Sequence, residues 1–265
     1  MDSPLRLDAK RALITGGSSG IGLATAKLLA ARGAAVHLVA RDEQALRDAA
    51  DGIRSAGGTA SYSTADVTDP DALEAAAAAC TEEYGGIDLV FANAGTNGVW
   101  APIDQLGYDE FATTVRVDVL GTFNTIKACA PHLKAAGGGS VVVTSSINGN
   151  RTFSNTGATA YASSKAAQMA MAKLLAVEFA PHGIRVNVVC PGTVDTEIEE
   201  RMERRGLDGA GWPVEYPKGK VPITGGGPGD PERVAEVVAF LFSDLAAHVT
   251  GTELYVDGAQ SLIMG

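Results

Sequence analysis

The sequence predicts an α/β fold in which a doubly wound parallel sheet of about seven strands is flanked by helices. Three observations carry that prediction. Short apolar runs alternate with stretches of helical periodicity along most of the chain. The first run meets a glycine-rich turn that opens a helix. No linker, repeat or low-complexity stretch divides the 265 residues, so one domain spanning 1–265 is expected.

In order along the chain, Ala12-Leu13-Ile14 forms a strand ending at Thr15. Gly16-Gly17-Ser18-Ser19-Gly20-Ile21-Gly22 follows, and Leu23, Ala26, Leu29 and Ala30 then recur at helical spacing. Glycines let a backbone approach a pyrophosphate closely, and a helix N-terminus offers free N–H groups and a favourable dipole. An ordinary flexible loop is the competing reading; the flanking strand and helix favour dinucleotide binding. The second strand is Ala35-Val36-His37-Leu38-Val39. Ala40 stands where an acid would bind a ribose 2′-hydroxyl, and Arg41 comes next. An arginine there suits a 2′-phosphate and can stack on the adenine. NADP(H) is therefore the expected cofactor, with NAD(H) as the alternative. Asp42 is expected to point away, and the competing reading of Arg41 is a surface residue starting a helix.

The alternation continues with a helix over 43–56 and a strand over 59–64, then Asp66-Val67. Asp69-Pro70-Asp71 is a strong helix start, with an N-cap, a proline at the first position and an acid in the first turn. That helix reaches Tyr84 and ends at Gly85-Gly86. Ile87-Asp88-Leu89-Val90-Phe91 is a buried strand leading to Asn93-Ala94-Gly95. One long helix is predicted over 108–136, a strand over 140–144, a helix over 160–180 and a strand over 184–189 before Pro191-Gly192.

Composition excludes several roles. The chain is 46% hydrophobic, enough for a substantial core, and carries a formal charge of −10. That acidity argues against nucleic acid or an anionic membrane as the main partner. Cys80, Cys129 and Cys190 are odd in number and widely spaced, and read as reduced, buried thiols of a cytoplasmic protein. His37, His132, His182 and His248 show no metal-ligand spacing, so no metal is expected. No apolar leader opens the chain, and no run is long enough to span a membrane. Asn150-Arg151-Thr152 fits a glycosylation sequon but reads as a polar loop.

Tyr161 and Lys165 are four residues apart and share one helix face. A cation beside a phenol lowers its pKa. Alone the pair is a weak signal. Its context is Thr15-Gly16-x-x-x-Gly20-Ile21-Gly22, Asp66-Val67, Asn93-Ala94-Gly95, Ser145-Ser146, Pro191-Gly192-x-Val194-x-Thr196 and Thr250-Gly251 with Val256-Asp257-Gly258. In that order and spacing, over about residues 8–260, the chain resembles the short-chain dehydrogenase/reductase family, in its compact branch with one Rossmann-type domain and commonly four subunits. Members resembling 3-oxoacyl-carrier-protein reductases belong to that branch.

The resemblance implies hydride transfer between NADP(H) and a ketone or secondary alcohol. Tyr161 would be the general acid or base, Lys165 would lower its pKa and bind the nicotinamide ribose, and Ser146 would donate to the substrate oxygen. Gly16, Ser18, Ser19, Gly20, Ile21 and Gly22 would meet the phosphates and adenosine ribose, and Arg41 the 2′-phosphate. Asp66 and Val67 would lie at the adenine; Asn93, Ala94 and Gly95 would line the central ribose. Pro191, Gly192, Val194 and Thr196 would flank the nicotinamide. For Asn93 a role tying strands together reads nearly as well, and Cys190 reads as buried packing. Two departures stand out. Ser146 lies 15 residues before Tyr161, a slightly long gap taken up in Asn150–Gly157, with Ser145 as the fallback. Asp118 stands three residues before Gly121, where the family usually has a catalytic Asn. There the main-chain carbonyl holds a water that relays protons to the lysine. Asp118 would keep a backbone role, and its carboxylate could raise the Lys165 pKa or alter the relay; the alternative is a helix residue paired elsewhere.

Residues 197–229 break the βα rhythm and read as a substrate lid. Glu197–Arg205 predicts a helix with an i,i+4 pair between Glu197 and Arg201. Met202, Trp212, Tyr216, Trp100 and Phe153 are candidates for an apolar pocket. A small, largely apolar carbonyl or alcohol is the expected partner. An acyl carrier protein would need a basic docking patch, for which Lys127, Lys134, Arg204 and Arg205 are the candidates. A non-catalytic NADP(H)-binding sensor is the reading from another class; such proteins often lose the Tyr or the Lys, and both are present.

Overall fold

The computed structural model describes Leu5, residues 7–196 and residues 202–263. The strands are β1 Arg11–Thr15, β2 Ala35–Ala40, β3 Thr59–Thr64, β4 Leu89–Ala92, β5 Val99–Trp100, β6 Gly139–Thr144, β7 Ile184–Pro191, β8 Glu203–Arg204 and β9 Glu253–Val256. The helices are α1 Gly20–Ala31, α2 Glu43–Ser55, α3 Pro70–Tyr84, α4 Tyr108–Val115, α5 Gly121–Ala135, α6 Thr159–Phe179 and α7 Pro231–Phe242. Seven strands form one parallel sheet in the order β3-β2-β1-β4-β6-β7-β9. Both faces of such a sheet are covered by crossover helices, which is why its strands read as continuous apolar runs rather than alternating ones.

Two apolar layers result. Leu73 and Cys80 of α3, Ile126 and Leu133 of α5, and Met169 and Phe179 of α6 pack on one face. Leu29 of α1, Leu46 of α2 and Val238 of α7 pack on the other. Phe91 of β4 is fully buried and meets Phe242 of α7 edge-on at 6.5 Å. The helix signals act as expected: the Asp69 carboxylate accepts from Asp71 N at 3.0 Å and Ala72 N at 3.1 Å, Pro70 opens α3, and Gly85 closes it at φ 83°. All three cysteines are buried and free. Asn150 is tied to Glu253 and Tyr255, which accounts for that polar loop structurally.

Two expectations are corrected. The long helix over 108–136 is not uniform. Residues Arg116–Leu120 form a π-helical turn between α4 and α5, with Gly121 N bonding back to Arg116 O. A π-turn inserts one residue into the helical register, which periodicity alone does not reveal. The predicted helix over 197–205 fails at its described end, where Glu203 and Arg204 form β8, paired in parallel with β5. Residues 197–201, with the expected Glu197–Arg201 pair, lie outside the described residues. Among the described residues, no helix is long and apolar enough to cross a membrane, and no His/Cys/Asp/Glu group could hold a metal.

His37 sits inside this fold, on β2. Its ring nitrogens bond the Ser61 and Ser63 hydroxyls at 2.8 and 2.9 Å, and burial pushes its pKa down to about 4. An unfolded histidine titrates near 6.5. The unfolded chain therefore binds more protons between those values. The stabilisation is full above about pH 6.5 and is lost as pH falls toward 4, by about 3 kcal/mol. Thermal unfolding from pH 7 to pH 4 should show a smaller loss of Tm in His37→Gln than in the parent; equal slopes would assign the acid sensitivity elsewhere.

Candidate active site

The strand order reverses between β1 and β4, so the connections after these strands leave toward opposite faces of the sheet. A crevice opens at their carboxyl ends, where ligands of doubly wound sheets bind. It forms a cleft of about 1220 Å³. That is larger than a typical small-molecule pocket and has room for a dinucleotide and a substrate together.

The glycine-rich turn forms one wall. Gly16 adopts φ 67°, and a Cβ on Gly22 would lie 2.1 Å from the Gly16 carbonyl oxygen. Only glycine permits that closeness. Helix α1 starts at Gly20 with no side-chain cap and no acid in its first turn. Ser18, Ser19 and Ile21 line the cleft beside it. An uncapped helix start behind a close glycine turn fits a pyrophosphate. Arg41, Asp66 and Val67 line the far end. Arg41 lies 3.9 Å from Asp66, both exposed, so the pair holds it weakly. Burial raises the Asp66 pKa, but its bonds to the Thr68 N–H and hydroxyl and the nearby Arg41 prevail and hold it below the usual range. Asp42 caps α2 through Ala45 N while also reaching the cleft wall.

Asn93, Ala94 and Gly95 follow β4 and line the cleft. The Asn93 amide donates to Thr15 O at 3.2 Å and accepts from Thr144 Oγ1 at 3.0 Å. It therefore ties β1, β4 and β6 together, so the structural reading applies. Pro191, Gly192, Val194 and Thr196 line the cleft after β7. Gln260 closes that corner, accepting from Thr193 N at 2.7 Å.

Helix α6 brings Tyr161 and Lys165 to the floor. The Lys165 ammonium is buried; it donates to Thr144 O at 3.2 Å, faces Asp118 Oδ2 at 3.8 Å, and lies 5.4 Å from the Tyr161 ring centre. Desolvation pushes the Tyr161 pKa up in this environment, against the lowering effects of Lys165 and the Ser146 hydroxyl. Lys165 acts on the phenol in the expected direction, and burial outweighs it. Ser145 donates to Lys165 O at 2.8 Å and anchors α6, leaving Ser146 as the serine beside the phenol. The long connection to Tyr161 is absorbed by a 3-10 turn over Ile147–Gly149 and the loop behind it.

Asp118 lies on the π-turn and is fully buried. Its Oδ1 accepts from Thr96 N at 2.8 Å, and its Oδ2 faces Lys165 without a hydrogen-bond donor among the described residues. Burial raises its pKa; Lys165 and the Thr96 N–H oppose this. It is thus paired with the lysine rather than elsewhere. Its main-chain carbonyl accepts from Thr122 Oγ1 at 2.7 Å and Gln168 Nε2 at 2.9 Å. Two protein donors occupy the carbonyl for which the family resemblance implied a water.

Of the pocket aromatics and Met202, only Trp100 and Met202 line the cleft. Phe153 and Trp212 are exposed, and Tyr216 meets Ser154 outside it. Asn97, Asn148, Asn155, Lys220 and Gln260 line it unforeseen. They stand on irregular segments where no motif marks them.

Comparison with known proteins agrees with this geometry. The family model described as Enoyl-(Acyl carrier protein) reductase matches residues 16–259. The chain is 36% identical over 255 residues to cis-4-hydroxycyclohexanecarboxylate dehydrogenase of Sinomonas cyclohexanicum, covering 95% of this chain and 96% of that one. It is 34% identical to cyclohexanol dehydrogenase of Acinetobacter sp. (strain SE19), covering 96% of each. A crystal structure of a 3-ketoacyl-ACP reductase from Sinorhizobium meliloti 1021 superposes with a TM-score of 0.91 at 49% identity, covering 95% of this chain and 98% of that one. With its glycine turn, its Tyr161–Lys165 helix and these relatives, the chain belongs to the short-chain dehydrogenase/reductase family and is an oxidoreductase that uses a nicotinamide cofactor.

Proposed function

We propose that the protein interconverts a secondary alcohol on a ring and its ketone, using NADP(H). One observation carries the chemistry: Tyr161, Ser146 and buried Lys165 converge on one cleft wall beside the residues after β7. The cofactor supplies the hydride. Tyr161 gives a proton to the ketone oxygen or takes it from the alcohol, Ser146 donates a hydrogen bond to that oxygen, and Lys165 keeps positive charge beside the phenol.

Arg41 supports NADP(H): Ala40 stands where an acid would bind the ribose 2′-hydroxyl, the neighbouring Asp42 is engaged as the cap of α2, and the guanidinium is weakly held. The dehydrogenases of cyclic alcohols among the relatives support a ring substrate. The 3-ketoacyl-ACP reductase favours an acyl thioester as the second reading. Against it, Arg205, one of the four candidate docking cations, is committed to Glu110 and Glu203. Leu120 on the π-turn, Phe123 on α5, and Leu174 and Val177 on α6 expose apolar side chains, which supports a homo-oligomer, a tetramer by family resemblance.

Tyr161→Phe should lower kcat/KM by about 10²–10⁴-fold, with cofactor binding retained in a fluorescence titration; undiminished turnover would remove the phenol from the mechanism. Arg41→Ala should lower the NADP/NAD preference roughly tenfold or more, read from kcat/KM with each cofactor; an unchanged ratio refutes the cofactor assignment. Asp118 raises the Tyr161 pKa through its charge. Asp118→Asn retains an acceptor for Thr96 and removes that charge, so the rise of alcohol oxidation with pH should move to lower pH. An unmoved profile would limit Asp118 to a backbone role. A panel of cyclic ketones, cyclic alcohols and an acyl thioester, followed by NADPH absorbance, separates the two substrate readings.

A further inference from the structure

The substrate end of the cleft has a charge pattern opposite to that of the whole chain. The chain carries −10, yet the acids lining the cleft are Asp42 and Asp66, both at the adenine end. Near Tyr161 and Ser146 the lining includes Trp100, Asn97, Asn148 and Asn155, with Arg204 over Trp100, and Met202 and Lys220 also line the cleft. No carboxylate stands among them in the described residues.

Arg204 is placed by the fold. β5 and β8 pair in parallel with Trp100 opposite Arg204, so both side chains leave the same face of the ribbon. Arg205 N bonds Trp100 O at 3.0 Å and locks that register. The Arg205 guanidinium then forks onto Glu110 at 3.0 and 2.8 Å and bonds Gln105 O, fastening the segment to α4. From the other side, Ala101 N bonds Gly157 O at 3.2 Å. The two neighbouring arginines therefore differ. Arg205 is consumed by structural partners, whereas Arg204 makes no ion pair or side-chain hydrogen bond among the described residues. Its guanidinium lies 5.7 Å from the Trp100 ring centre, and that ring lies 6.3 Å from the Tyr161 ring at an angle of 36°. Stacking on an aromatic face orients a guanidinium and leaves its in-plane N–H donors available.

We propose that the cleft takes a cyclic alcohol or ketone bearing a carboxylate, and that Arg204, held over the Trp100 ring one ring away from Tyr161, binds that carboxylate. A planar fork of N–H donors matches a carboxylate bidentately. Trp100 and Met202 supply the apolar surface for the ring between the anion and the reacting carbon. Asn148 and Asn155, joined by a 2.8 Å hydrogen bond, supply further amide donors on the same wall. The proposal rests on the reading of the cleft as a site for ring alcohols and ketones, and it makes Arg204 a specificity-determining residue.

The test compares cis-4-hydroxycyclohexanecarboxylate with its methyl ester, which keeps the shape and removes the charge, in the full-length protein with NADP⁺ and with NAD⁺. The acid should exceed the ester in kcat/KM. In Arg204→Gln that ratio should fall at least about tenfold, mainly through KM for the acid, with partial recovery in Arg204→Lys. Lys127→Gln, which removes a cation outside the cleft, should keep the ratio. An unchanged ratio in Arg204→Gln, or an equal loss on acid and ester, overturns the proposal. So does a 3-oxoacyl thioester turned over better than both, since the anion would then belong to a carrier. If no cyclic alcohol or ketone reacts, the ring-substrate reading is what fails. The carboxylate site is then judged by titrating unreactive cyclohexanecarboxylate against tryptophan fluorescence: a saturable change lost in Arg204→Gln supports it, and no change refutes it.

Discussion

The cleft exists because two adjacent parallel strands send their chains to opposite faces of the sheet. β1 continues into α1 on one face, while the chain after β4 travels toward the helices on the other, and no crossover closes the gap between them. Everything chemical in the molecule hangs on that gap. The gap would splay without a tie across it, and Asn93 is that tie, bonded to Thr15 O and to Thr144 Oγ1.

Beneath the cleft lies a buried electrostatic cluster. Lys165 and Asp118 are 5% and 0% exposed and 3.8 Å apart. Taking both charges out of water is expensive, and removing one partner of such a pair leaves an uncompensated buried charge. The surrounding dipoles reduce that cost: Thr144 O receives the ammonium, and the Thr96 N–H serves the carboxylate. The π-turn also sets Gln168 and Thr122 on the Asp118 carbonyl. The lysine is thereby held close to the Tyr161 phenol, whose proton affinity is set by burial against that charge.

Above the cleft, the architecture is looser in kind but specific in register. A two-residue parallel ribbon, β5 with β8, sets the Arg204 guanidinium over the Trp100 ring beside Tyr161. Sequence periodicity assigned the same residues to a charged helix, because alternating acids and bases suit a helix surface. Pairing with Val99 and Trp100, more than a hundred residues earlier, overrides that local preference.

The doubly wound sheet, the glycine-rich turn before α1 and the Tyr161–Lys165 pair were legible in the chain because each is a local pattern. Apolar runs mark buried strands, Asp69-Pro70 caps α3, and a phenol and an amine one helical turn apart need no distant partner to share a face. The roles of neighbours were not legible. Ser145 and Ser146 are equivalent by spacing, and only the tertiary packing commits the Ser145 proton to Lys165 O while Ser146 accepts from Asn148 N and keeps its own proton to donate. Asp118 could have been paired anywhere, until the π-turn placed it beside Lys165. Asn148, Asn155, Lys220 and Gln260 carry no motif, since segments distant in sequence meet only when the sheet has formed. Local periodicity and short motifs determine which elements form and what chemistry they carry; the long-range contacts decide which side chains are consumed by structure and which remain for the substrate, because a hydrogen-bonding group can serve one only when the other has not taken it.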